Sequence, residues 1–143
     1  MFNVPNLNTF VSNFFLCTTW EEKYLYIIEL GEYIFLLNKN IRNNINLIQG
    51  CQSKIWILMY INNEGKLIFF GDSNASITKG LISIIYIFYK KMNVIEIINY
   101  DINFLFDKLN IKNHLSQNRS YSLDIIIKNI IYKSSLYIKK IVI

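Results

Sequence analysis

Cys51 is the residue around which this sequence arranges its chemistry. It follows Gly50, which frees the backbone for a tight or positive-φ bend, and precedes the apolar run Ile55 to Ile61, so a rigid strand can aim a mobile thiol. A thiolate so placed can exchange with disulfides or persulfides, and Lys54, Arg42 or a helix N-terminus could favour its ionisation. The plain alternative is a buried cysteine that only fills space. Cys17, beside Leu16, reads as such a small core hydrophobe. His114, the single histidine, could act as a base for Cys51, or could be a hydrogen-bonded structural residue beside a helix start. Asp72 and Glu64 read as turn and cap residues, and no glycine-rich phosphate loop is present. Arg119 is one of two arginines in a lysine-biased chain. The first turn of a helix disfavours a cation, so Arg119 suits a partner-facing role.

The remaining composition is mostly background. Among 143 residues there are 28 isoleucines and 19 asparagines. With lysine they make up roughly 40% of the chain, well outside ordinary usage. All three have A/T-rich codons, so at exposed positions they report drift of a genome rather than function. The length suits one domain over residues 1–143, and no linker or repeat divides it. The net charge is +5, but the lysines are scattered, with only Lys90-Lys91 and Lys139-Lys140 adjacent, so no nucleic-acid partner is expected. The longest apolar run, Gly80 to Tyr89, is about half of a membrane span, and no membrane partner is expected either. The first residues lack a basic segment and a small-residue cleavage site, which makes a cytoplasmic location the expectation. Two cysteines and one histidine are too few for a disulfide framework or a zinc site, so no metal is expected.

The elements that must position Cys51 follow from spacing. Leu7, Phe10, Val11 and Phe14 predict a first amphipathic helix ending near Cys17. Thr19 and Glu22 form a capping box for a second helix from Trp20 to Leu30, with Gly31 as its stop. The asparagine-rich stretch Asn38 to Gln49 predicts a loop presenting Cys51. Ile55 to Ile61 and Lys66 to Phe70, joined by Asn62-Asn63-Glu64-Gly65, predict a β-hairpin. Ser73 is expected to cap a central helix that buries Ile77, Leu81, Ile84, Ile85 and Phe88. Two short helices, Val94 to Ile98 and Ile102 to Leu109, follow, the second capped by Asp101. Ser116 caps a long last helix that turns Leu123, Ile127, Ile130 and Ile138 inward and carries Lys139 and Lys140 at its end. Helices on either side of one hairpin predict an α+β fold, a small antiparallel sheet covered by helices.

The run Trp20-Glu21-Glu22-Lys23-Tyr24-Leu25-Tyr26-Ile27-Ile28-Glu29-Leu30-Gly31 resembles the N-terminal signature of the SufE family. Asn46-x-Ile-x-Gly50-Cys51-Gln52-Ser53, with Trp56 shortly after, resembles that family's active-cysteine motif. Gly71-Asp72-Ser73 through Lys79-Gly80-Leu81-Ile82, and His114-Leu115-Ser116 with Arg119-Ser120, resemble two further segments of it, in order along residues 7–130. The resemblance implies a SufE/IscU-like fold and a homodimer. It also implies a sulfur acceptor without a cofactor of its own: sulfane sulfur comes from the PLP-dependent cysteine desulfurase SufS, rests as a persulfide on Cys51, and passes to a SufB-containing scaffold. In the family this cysteine lies on a loop tip that shelters and then swings outward, for which Gly50 is the natural hinge. Gly50, Gln52, Ser53, Asn74, His114 and Arg119 are then expected to support the loop or meet the partner. Asn74 stands where an acidic residue is usual, Gln117 where proline is usual, and Ile34 to Leu37 replaces a Leu-Pro segment. Service to a CsdA-like desulfurase, or a binding module in which Cys51 only fills a pocket, are the other readings.

Overall fold

The computed structural model describes residues 4–35 and 39–142. Among them six helices and one hairpin follow in order: α1 (Leu7–Leu16), α2 (Trp20–Phe35), β1 (Ile55–Ile61), β2 (Leu67–Ser73), α3 (Ser76–Tyr89), α4 (Val94–Asn99), α5 (Ile102–Lys108) and α6 (Gln117–Val142). This is the expected α+β arrangement. The replaced segment Ile34 to Leu37 and the start of the loop at Asn38 fall partly on residues 36–38, outside the described residues. None of the described helices is long and apolar enough to cross a membrane.

Local chemistry explains most element ends. Asn6 caps α1 by accepting from Thr9 N at 2.9 Å, and the helix buries Phe10 and Phe14 completely. At α2, Thr19 Oγ1 accepts from Glu22 N at 3.1 Å, while the Glu22 carboxylate reaches back to Thr18 N at 2.8 Å. The capping box therefore closes one residue further out than the Thr19–Glu22 pairing alone implies. Asp101 caps α5 through Asn103 N, and Ser116 Oγ accepts from Arg119 N at 3.3 Å at the start of α6. Asn62 Oδ1 accepts from both Glu64 N and Lys66 N at 2.9 Å and folds the hairpin turn, with Gly65 at φ +77°.

Two expected boundaries are overturned. Gly31 does not stop α2, which runs on to Phe35. The glycine is there for packing: a Cβ built on it would stand 2.7 Å from Gly80 N and 2.8 Å from Lys79 Cβ, so α2 and α3 touch backbone to backbone at this pair. Ser73 does not cap α3 either. It ends β2, and α3 starts at Ser76 behind Ala75, which makes no side-chain cap bond. Ser73 Oγ instead accepts from Ala75 N at 3.2 Å, a local turn that competes with capping.

The hairpin is antiparallel, with Ile55 opposite Ser73 and Ile61 opposite Leu67. Ile55, Ile57, Met59, Leu67 and Phe69 join the buried residues of α3, among them Leu81, Ile84 and Ile85 from the expected apolar stripe. Leu123, Ile127 and Ile130 of α6 close the same core, while Ile138 is half-buried. On the opposite sheet face, Trp56 and Asp72 are cross-strand partners. Both are buried because the segment before the cysteine covers them: Arg42 lies over the Trp56 ring at 4.9 Å, and its Nε meets Asp72 Oδ2 at 2.5 Å. Asp72, expected as a turn residue, is thus a buried strand carboxylate held by Arg42, with Lys79 at 3.9 Å.

Candidate active site

The cysteine loop is built by the outer edge of β1. Ile57 N donates to Asn46 O and Ile48 N to Ile55 O, both at 2.8 Å, and Leu47 bridges Trp56 in antiparallel sense. The chain therefore runs beside β1, reverses over residues 49–54, and re-enters the strand, which puts Cys51 at a turn tip between two paired legs. Gly50 takes φ +92°, the left-handed region favoured by glycine. A Cβ there would still have room, with Ile125 Cδ1 of α6 at 3.6 Å as its nearest neighbour. Gly50→Ala is consequently expected to cost about 1–2 kcal/mol through backbone strain alone. Urea unfolding measures it; an unchanged midpoint would mean that the turn does not need glycine.

Two side-chain clamps hold the tip. Asn118 Nδ2 at the start of α6 donates to Gln52 Oε1 at 2.5 Å. Asn74, between β2 and α3, takes Lys54 N on its Oδ1 at 3.1 Å and gives its own N–H to Lys54 O at 3.2 Å. The side-chain amide oxygen makes the first of these bonds and the backbone N–H the second, and the corner carries no charge from Asn74.

Gln52, Ser53, Ser116, Asn118, Arg119 and Ser122 line one polar cleft of about 270 Å³ beside Cys51. The structure thus brings Gly50, Cys51, Gln52, Ser53 and Arg119 to one place, with Asn74 supporting the loop from the other side. Arg119 reaches across to α2, where its Nη1 donates to the Tyr24 hydroxyl at 2.5 Å and its guanidinium lies 5.9 Å from the ring. That bond fixes a cation that the helix start alone would not favour.

His114 is not drawn to the thiol. Its ring stacks on Trp20 with centroids 3.5 Å apart, and its Nδ1 lies 3.1 Å from Asn110 O, so it fastens the segment before α6 to the start of α2. Cys17 sits on α1's far end, its Sγ 3.5 Å from Asn13 O.

Cys51 itself is half-buried and packs against the core. Burial pushes its thiol up from the ordinary range, and the Ser122 side chain pulls the other way; no charged side chain contributes. The cationic help expected from Lys54 or Arg42 is absent, because Arg42 is spent on Asp72 and Trp56. At neutral pH the resting thiol is therefore protonated and sheltered, a form that resists oxidation and reacts only once deprotonated.

Reading the sequence missed Ser122, Asn118 and Tyr24. The first two were within reach of it: with Arg119 they fall on the first turns of α6, and Ser122 and Ile125 are spaced to share a face. The Tyr24 contact joins residues too far apart in the chain for spacing to show.

The family model described as SufE, Fe-S metabolism associated domain, matches residues 8–133. That match takes in nearly all of α1, the whole cysteine loop, the hairpin and the first two-thirds of α6. The chain belongs to the SufE family, and its role lies in iron–sulfur metabolism.

Proposed function

We propose that the protein accepts sulfane sulfur on Cys51 from the persulfide of a PLP-dependent cysteine desulfurase of the SufS type. It then delivers that sulfur to a SufB-containing scaffold for cluster assembly in the cytoplasm. The observation that carries this reading is Cys51 at the tip of a loop clamped by Gln52 and Asn74, beside Gly50 in the left-handed region, in a chain of the SufE family.

The chemistry is a displacement at sulfur. The Cys51 thiolate attacks the outer sulfur of the partner's persulfide, a new S–S bond forms on Cys51, and the old S–S bond breaks with its electron pair on the partner cysteine. No external oxidant or reductant is consumed. Opening the tip must break the Asn118–Gln52 and Lys54–Asn74 bonds, and both are exposed, so water replaces them at small cost. Gly50 gives the backbone its pivot. Arg119 and the cleft lie where a docked partner would meet the opened thiol.

Incubation with a desulfurase and cysteine should add the mass of one sulfur atom to the peptide carrying Cys51, removable by a reducing agent. Mass spectrometry that finds Cys51 unmodified under turnover would overturn the proposal. Pairing of two copies belongs to the same reading, supported by exposed Leu25 and Ile45, and light scattering of the sample reads it as a doubled mass.

A further inference from the structure

Ser122 has a place in the site that the sulfur-acceptor role of Cys51 does not by itself require. It lies on α6 and is 4% exposed, in the wall of the cleft that also takes in Gln52 and Ser53, the residues following Cys51. Gly50, on the other side of Cys51, rests over Ile125, which shares the helix face of Ser122. The residues on both sides of Cys51 thus lie over the turn of α6 that carries this hydroxyl. In the resting structure Ser122 Oγ donates to Asn118 O at 2.9 Å, the back-bond a serine makes inside a helix. That bond is dispensable, since the Asn118 carbonyl also has its place in the helix ladder.

A hydroxyl carries a single proton on a freely turning bond. Beside a neutral thiol it can accept from S–H while giving its own proton to Asn118 O. Beside a sulfur anion its best acceptor is the sulfur, because hydrogen bonds to charged acceptors are the stronger ones. We propose that the Ser122 hydroxyl is the hydrogen-bond donor that serves the Cys51 sulfur, turning from the Asn118 carbonyl to that sulfur whenever it carries charge. The thiol proton leaves to solvent, the serine keeps its own proton, and no bond to sulfur is made or broken in the switch.

The charged groups of the flanking elements do not replace it. Arg119 is bonded to Tyr24, Asp124 is paired with Lys112 at 2.8 Å, Asp72 is held by Arg42 across the sheet, and Lys54 on the loop leaves the thiol unshifted. Burial works against the thiolate, and Ser122 is the group that opposes burial. The inference rests on Cys51 being the sulfur acceptor, and it assigns the serine a part in making that acceptor nucleophilic.

The test is Ser122→Ala in a Cys17→Ser background, which leaves Cys51 as the only thiol. Alanine is the better helix former, so the variant folds. Alkylation of Cys51 by iodoacetamide is followed against pH. The midpoint of the rate profile should rise by about one pH unit, a roughly tenfold loss of rate below it, while the alkaline plateau stays where it was. An unmoved midpoint overturns the inference. So does a changed plateau with a fixed midpoint, which would make Ser122 a packing residue that limits access. No desulfurase enters this titration, so a wild-type protein that takes up no persulfide would sink the proposed function while leaving the serine's result readable.

Discussion

Cys51→Ser abolishes both the sulfur adduct and any stimulation of a desulfurase, the largest functional effect expected of one substitution in this chain. A serine oxygen cannot form the persulfide that carries the sulfur, so the loss is complete rather than graded. Stability should change little. Cys51 is half-buried at a turn tip, and exchanging one small side chain for another there costs about 1 kcal/mol or less. The matching control is Cys17→Ser, whose thiol donates to Asn13 O at 3.5 Å and which should keep full activity. The pair is read by mass spectrometry and by desulfurase turnover with saturating cysteine. A Cys51→Ser protein that still raised turnover to the wild-type level would show that the chain stimulates its partner by binding alone. The resting state gives the experiment a pH dependence as well. Burial holds the thiol up, so transfer by the wild type should accelerate as pH rises through and above the ordinary thiol range. A loop already open in solution would give a profile centred on the ordinary value.

The parts of this site that could be read from the sequence are those set by neighbours along the chain. Gly50-Cys51 foretold a left-handed turn because glycine is the residue that adopts it freely, and the structure has φ +92° there. The hairpin was legible from two β-rich runs and the Asn62-Asn63-Glu64-Gly65 turn, and the α3 stripe from its 3.6-residue period. Two errors share one cause: local rules lost to tertiary contact. Gly31 looks like a helix stop because glycine terminates helices that end in solvent, yet here the missing side chain is what lets a second helix approach. Asp72 looks like a turn residue because its sequence neighbours are small and polar, yet Arg42 makes it a buried strand position. The electrostatics of Cys51 were hidden for the same reason. A cation near in sequence was available in Lys54 and Arg42, but what folding puts around the sulfur is burial, which raises the thiol, opposed by a serine from the other end of the chain.

The meeting of α2 and α3 should show the conflict between local and tertiary preference with its sign reversed. Inside an exposed helix, replacing glycine by alanine stabilises by about 1 kcal/mol. Gly80 sits within α3 and is fully enclosed, and a Cβ there would run into the Ile27 carbonyl oxygen and stand 2.5 Å from Ile27 Cγ2. The obstacle is largely backbone, which cannot rotate away as a flexible side chain would. Gly80→Ala must therefore push the helices apart along the Gly31 contact or bend one of them. The expected cost is about 3 kcal/mol or more, at the upper end for an overpacked core, and a fall in melting temperature of about 10 °C. Urea denaturation of the variant against wild type decides it, since propensity and packing predict opposite signs. A stabilised Gly80→Ala would mean that the two helices do not meet at this pair. The effect should reach the cysteine loop, because α2 carries the Tyr24 that holds Arg119, and α3 follows directly on Asn74, which clamps Lys54. Spreading these helices loosens two supports of one turn, so Cys51 in Gly80→Ala should alkylate faster than in wild type at the same pH. An unchanged rate in a destabilised protein would place the loop's support in α6 and β1 alone.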